Sequence, residues 1–251
     1  MFRSLAVLGA ALAAAAVVAE TASAAGGLSV TPSRLEATAR AGASGRATIA
    51  NSSNRKLRVT VRARPWRQAS NGAVAANRSR TLGLVRLTPS RFTLTPGASR
   101  SVAVTLRRVP SRRSLYGALD ILGKPTKRRQ GINVAYRLVS SIRFNPAAGK
   151  RRLRLSAGSA GTTGRGSSRM LVLRVRNRGN TVDPVGGTVS ISGPGGGRSG
   201  GINPVSIVPG KSVRLRLLSL SGMRRGRYTA AITLAQAGRN IVSVTRHFRI
   251  R

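Results

Sequence analysis

Side chains alternate along much of this chain. Leu57, Val59, Val61 and Ala63 interleave with Arg58, Thr60, Arg62 and Arg64. Successive side chains leave an extended backbone on opposite sides, so this pattern specifies a half-buried β-strand, here with arginine on its wet face. Similar segments recur at Leu28 to Ala39, Ala47 to Asn51, Arg91 to Leu94, Ser101 to Arg107, Tyr116 to Leu122 and Ile132 to Phe144, separated by Gly, Pro, Ser and Asn. Seven short strands suffice for one β-sandwich. After Asn145 and Pro146 a small basic linker leads to seven more: Arg152 to Ser156, Met170 to Asn177, Gly187 to Ser192, Val205 to Val208, Ser212 to Leu218, Tyr228 to Ala235 and Ile241 to Ile250. No helical period is sustained beyond the N-terminal segment. The fold class read from this pattern is all-β, as two tandem immunoglobulin-like β-sandwich domains over residues 25–146 and 147–251.

The two halves read as diverged copies. Each has a strand ending in Asn (Asn51, Asn177), then a Pro-Gly turn opening an alternating strand (Pro96-Gly97, Pro209-Gly210), then a basic loop and a tyrosine at a strand start (Tyr116, Tyr228). The first half is longer between its Asn and its Pro, which places an insertion between Gln68 and Leu82, a polar stretch expected to be a surface loop. Both tyrosines are expected to hydrogen-bond back to the backbone at a corner between strands. Trp66 reads as either a core residue between the sheets or an exposed aromatic for a partner, and core packing is the favoured expectation.

Arg3, the apolar stretch from Leu5 to Ala19 and the small residues Ala22, Ser23 and Ala24 predict a signal peptide over residues 1–24, with Ala25 as the first residue of the processed chain. No later segment is long and apolar enough to cross a bilayer as a helix, so the processed chain is expected to be exported to a periplasm, cell wall or extracellular space without an anchor. There is no cysteine, so packing must stabilise the sandwiches without disulfides. The charge is lopsided: 45 basic residues, 40 of them arginine, stand against four acidic ones, a net of +41. Such a surface attracts anionic polymers whatever selected it.

Val30-Thr31-Pro32-Ser33-Arg34-Leu35, Ile49-Ala50-Asn51-Ser52-Ser53, Leu57-Arg58-Val59 with Trp66, Phe92 to Gly97 and Val134 to Leu138 follow one another in an order and spacing that resemble the N-terminal domain of periplasmic pilus-assembly chaperones, the PapD-like immunoglobulin sandwich. The tandem arrangement is also similar to WxL-interacting surface proteins, through Tyr116-Gly117-Ala118-Leu119 and Val175 to Asn180. The chaperone resemblance implies that an arginine of the first strand and a basic residue of the last strand hold a client's terminal carboxylate while the last strand completes the client's sheet. Arg34 matches the first position, and a guanidinium fork suits a carboxylate. The second position falls at Ser141, leaving Arg137 and Arg143 as nearby substitutes. Ile132, Val134, Tyr136, Leu138, Ile142 and Phe144 share one face of that strand, which suits either the core or strand addition to a partner.

Catalysis by acid and base has little to work with: beyond the signal segment only Glu36, Asp120, Asp183 and His247 titrate near neutrality or below. Gly197-Arg198-Ser199-Gly200-Gly201 matches a nucleophile-elbow pattern in letters alone, in what reads as a Gly-rich loop with no acid after it. His247 has no Cys, Asp or Glu near it to share a metal. No enzyme, cofactor, metal or small-molecule substrate is expected. The first reading is a binding or chaperone-like module for an exported protein or peptide client, with Arg34, Arg137 and Arg143 as its candidate residues. The alternative is electrostatic adhesion to anionic cell-wall polymers or glycans. Nucleic acid ranks third, because export and three per cent aromatic content argue against stacking on bases.

Overall fold

A computed structural model describes residues 22–24, 26–127, 130, 132–194 and 196–251. Most of the expected signal peptide, and Ala25, lie outside the described residues. Ala22–Ala24 (β1) forms an edge strand against Leu28–Thr31 (β2), and cleavage after Ala24 would remove it. The first half continues with Arg34–Thr38 (β3), Ser44–Asn51 (β4), Leu57–Gln68 (β5), Val74–Ala76 (β6), Val85–Thr88 (β7), Arg91–Leu94 (β8), Ser99–Leu106 (β9), Leu115–Pro125 (β10) and Tyr136–Asn145 (β11). These strands make a five-stranded sheet in the order β1-β2-β4-β9-β7 and a six-stranded one in the order β3-β11-β10-β5-β6, with β8 also on β5. The second half contributes Leu155–Thr163 (β12), Met170–Asn177 (β13), Pro184–Ser192 (β14), Arg198–Ser206 (β15), Ser212–Ser219 (β16), Gly226–Gln236 (β17) and Arg239–Ile250 (β18). They form a three-stranded sheet, β12-β13-β16, and a four-stranded one, β15-β14-β17-β18. The described residues hold two 3-10 turns and otherwise strands and loops, so the all-β reading holds.

Each half hides its own aliphatic rows between its own two sheets. Val59, Val61, Val104, Leu119, Ile121 and Ile142 belong to one buried cluster, and Leu173, Val175, Val189, Val213, Leu215 and Ile232 to another. The interleaved Arg58 and Arg62 stay exposed on β5, as do Arg174 and Arg176 on β13. One buried polar residue recurs in both halves. Asn51 Nδ2 donates to the carbonyls of Arg55, Leu94 and Thr95, and its Oδ1 accepts from Ser53. Asn177 Nδ2 donates to the carbonyls of Thr181 and Ile207, and its Oδ1 accepts from the Gly179 N–H. Leu94 and Ile207 each lie two residues before the proline of the Pro-Gly turn. In those turns Ala98 N–H bonds to Thr95 O and Lys211 N–H to Val208 O, closing them as type II turns. That turn needs positive φ at its third residue, which Gly97 (75°) and Gly210 (83°) supply. Their N–H groups then donate to the carbonyls of Asn51 and Asn177. The duplication read from the sequence is thus carried by one repeated hydrogen-bonded device.

Three expectations need correction. The segment Leu28 to Ala39 is two strands, because Pro32, lacking an N–H for a sheet ladder, stands where the chain crosses from the five-stranded to the six-stranded sheet. The Gly-rich stretch at 197–201 is largely strand: Arg198 and Gly200 pair with Ile191 and Val189 at the start of the edge strand β15. The insertion after Gln68 is no free surface loop. It turns at residues 69–73, returns as β6, and rests its tip on the second half. Gln68 Nε2 donates to Ser206 O (2.7 Å), Val208 N–H donates to Gln68 Oε1 (2.9 Å), and Arg214 N–H donates to Ser70 O (2.6 Å).

Replacing Asn51 or Asn177 by Ala orphans several buried carbonyls at once, and each substitution is expected to cost about 3 kcal/mol. Urea denaturation of each variant checks this. Losses below about 1 kcal/mol would show that the asparagines do not lock the turns.

Candidate functional site

The crossing at Pro32 brings β3 alongside β11 as a parallel partner, with Arg34 opposite Ser141 and Glu36 opposite Arg143. Side chains of alternate β11 residues leave the sheet on the outer face, so Arg137, Val139, Ser141 and Arg143 form one row and Leu138, Ser140, Ile142 and Phe144 the buried one. Arg34 Nε lies 3.8 Å and Arg143 Nη1 3.4 Å from Glu36 Oε1, and Asn145 Nδ2 donates to Glu36 Oε2 at 3.4 Å. Two guanidinium groups from different strands therefore converge on one carboxylate. The Arg143 guanidinium sits 5.7 Å above the Trp66 ring, which itself stacks on Tyr116 at 6.0 Å. Burial first, and then the nearby charge of Arg34, lower the pKa of Arg143 from the ordinary arginine value, while Glu36 opposes them.

This cluster lies at the seam between the halves. A cleft of about 280 Å³ is lined by Glu36, Arg143 and Asn145 on one side and by Arg151, Thr181 and Asp183 on the other, and Arg151 pairs with Asp183 at 2.6 Å. Two expectations change here. Tyr228 donates to the carbonyl of Arg224, four residues upstream, as a corner tyrosine does. Tyr116 does not close a corner of its own sandwich: its hydroxyl donates across the seam to Asn180 O at 3.1 Å. Trp66 is not between the sheets either. It stands half-buried on the outer face as the platform for Arg143, because the alternation that buries Val61 and Ala63 turns residues 62, 64 and 66 outward.

Of the three candidate arginines, the fold unites two. Arg137 is six residues before Arg143 on the same strand, about 20 Å away at the usual rise of a strand. Its Nε donates to Asp120 Oδ1 at 2.9 Å. Asp120 is buried and also faces Arg64 at 3.7 Å, whose own side chain is only 8% exposed. Arg137 thus belongs to a structural charge cluster. Glu36, read from the sequence only as a scattered acid, and Trp66, read in the first place as core, also belong to the site. Parity along β5 was the available signal for Trp66, and Glu36 follows Arg34 by two residues on the same strand face.

The strand edge completes the site. Beyond β3, no strand pairs with the outer edge of β11 over residues 136–140 among the described residues. Just before it, Ile132 is 91% and Val134 50% exposed, continuing the alternation of the buried Leu138 and Ile142 into a segment that no sheet covers.

No protein-family model matches the chain, and no curated protein matches it in sequence. Among solved structures, a chain of the chaperone–tip adhesin complex of CFA/I fimbriae biogenesis aligns at 14% identity with a TM-score of 0.51, covering 88% of this chain and 98% of that one. The class 5 fimbriae chaperone CfaA aligns at 14% identity over 88% and 98% of the two chains, with a TM-score of 0.49. A chain from the complex of the Salmonella enterica SafA pilin with the SafB chaperone aligns at 16% identity over 91% and 99%, with a TM-score of 0.46. The fold is accordingly the PapD-like immunoglobulin sandwich that the sequence resembled, in tandem.

Two outcomes test the geometry of the seam and of the charge cluster. Burial pushes the Tyr116 hydroxyl up to about 12 from 10.0, so the unfolded chain loses that proton first and stability falls as pH rises from about 10 to about 12. The melting temperature of Tyr116→Phe should fall less steeply than that of the parent over that window. An identical slope would remove the buried hydroxyl from the account. Asp120→Asn leaves Arg64 buried without its counter-charge and is expected to cost about 3–5 kcal/mol in chemical denaturation, whereas Arg137→Gln, removing an arginine that is over a third exposed, costs much less.

Proposed function

We infer that the chain is an exported, non-enzymatic binding module of the chaperone type, which captures an extended segment of a protein client in the cell envelope. The observation that carries this reading is the exposed apolar alternation at Ile132 and Val134 leading into the unpaired edge of β11. A segment added there would gain main-chain hydrogen bonds from the strand edge, and the two side chains would fill an incomplete sheet on the client. A large aliphatic group left 91% in water gains nothing for this chain by itself, and a lone one needs no explanation, but two in phase beside an open edge suit a partner.

Arg34 and Arg143 supply the end stop. β3 runs parallel to β11 and ends the open edge at residue 141, so a client strand continuing the line of β3 would bring its terminal carboxylate to the paired guanidiniums. Glu36 lies where that carboxylate would bind, and the client would displace it. Arg137, tied to Asp120, takes no part in the capture. The chaperone–tip adhesin complex that shares the fold pairs a chaperone with a protein adhesin, which supports the same class of partner here.

Pull-down of the tagged chain from its native envelope at high salt is the test. Arg34→Ala and Ile132→Asp are each expected to abolish recovery of a discrete exported protein without changing the circular dichroism. Glu36→Gln, which frees both arginines, is expected to raise recovery. Unchanged recovery with Arg34→Ala would overturn the reading.

A further inference from the structure

The second half carries a feature that the client site does not use. On the outer face of the three-stranded sheet, Arg174 on β13 lies directly opposite Arg214 on β16, and Arg216 follows two residues along β16. Arg176 is two residues beyond Arg174, opposite Ser156 and Ser212. Past the end of the ladder, Arg178 N–H donates to the carbonyl of Arg154 at 2.8 Å, which sets those two residues side by side. All six arginines are exposed, and no side-chain hydrogen bond or ion pair engages them among the described residues. The carboxylates Glu36, Asp120 and Asp183 are each held by arginines elsewhere.

Like charges directly opposite one another on a sheet are destabilising, and this face carries one such pair, Arg174 and Arg214, with Arg154 and Arg178 side by side just past the ladder and no carboxylate to neutralise either. Along a strand, the Cα atoms of arginines two residues apart are separated by about 7 Å, and those directly across strands by about 5 Å. That is a two-dimensional array of donor forks. A planar carboxylate satisfies one fork with its two oxygens. A phosphate directs its oxygens tetrahedrally and can accept from two facing guanidiniums at once, which is what these two pairs require. None of the six positions, nor the serines between them, offers an aromatic ring on which a base could stack.

We propose that this face of the second domain is a binding site for a linear, phosphate-linked polymer without bases, held by counterion release and bridging phosphates and independent of the client edge at β11. Binding relieves these pairs, so it stabilises the fold as well as attaching the protein.

Calorimetric titration of the purified chain with inorganic polyphosphate, at about 50 and about 200 mM salt, tests it. The parent is expected to bind with a steep salt dependence and to melt higher when loaded. The fourfold variant Arg174→Gln, Arg176→Gln, Arg214→Gln, Arg216→Gln is expected to bind at least about tenfold more weakly, with a salt slope shallower by about three. A control with the same net charge, Arg40→Gln, Arg78→Gln, Arg107→Gln, Arg239→Gln, is expected to stay within about threefold of the parent. The unloaded face variant should also melt no lower than the parent, since it loses repulsion and no burial. Equal weakening in both variants, or no binding by the parent, overturns the site. Equal or tighter binding of polygalacturonate or single-stranded DNA overturns its assignment to phosphate without bases. Arg34 and Ile132 are untouched throughout, so failure here leaves the client reading standing, and the reverse.

Discussion

A chain with 45 basic residues and four acidic ones cannot neutralise its guanidinium groups by pairing them, so it must keep nearly all of them in water. That requirement leaves most strands one dry face and one wet one, although β10 is buried on both faces from Tyr116 to Ile121. The dry faces, rich in Val, Leu and Ile, can only be closed by setting two sheets against each other, and this happens twice. Where an arginine is buried, as Arg64 is on the outer face of β5, a carboxylate goes with it: Asp120 pairs with both Arg64 and Arg137. Glu36 and Asp183, at the seam, hold Arg34, Arg143 and Arg151 in turn. Among the described residues, each acid thus sits where the fold constrains an arginine.

Much of this was legible in the residues, because alternation, turn chemistry and the Asn to Pro-Gly order are local. Leu57 to Ala63 could only be a one-sided strand, and Gly97 and Gly210 could only be turn glycines. What escaped reading depended on pairing across distance. Arg137 and Arg143 have the same parity on β11, and the sequence gives no means of choosing between them until β3 is placed beside the later half of that strand. Trp66 looked like core by size, yet it shares the parity of Arg62 and so stands on the outer face of β5, where Arg143 comes to it only through the pairing of distant strands. The strand at 198–206 was hidden because glycine and proline contribute so little to a periodic pattern, although an edge strand with one neighbour tolerates them.

The seam residues bind the halves chemically as well as by proximity. Tyr116 supports Trp66 from below and reaches Asn180 beyond it, so the aromatic platform under Arg143 is itself held by the second domain. Asn180 in turn donates to the carbonyls of Arg112 and Lys150 and accepts the Arg152 N–H, drawing the preceding loop, the linker and the second domain to one point. The orientation of the basic pair over the cleft is therefore a property of both sandwiches together.

The hairpin that follows β5 extends this further. The Gln68 amide both donates to Ser206 and accepts from Val208, so one side chain does the work of a peptide unit and carries main-chain bonding from one sandwich into the other. Melting either sandwich strips partners from its neighbour, which raises the free energy of every half-melted species. Such a molecule should lose its structure in a single calorimetric transition whose enthalpy matches the whole chain, instead of shedding one bead at a time as loosely strung modules do.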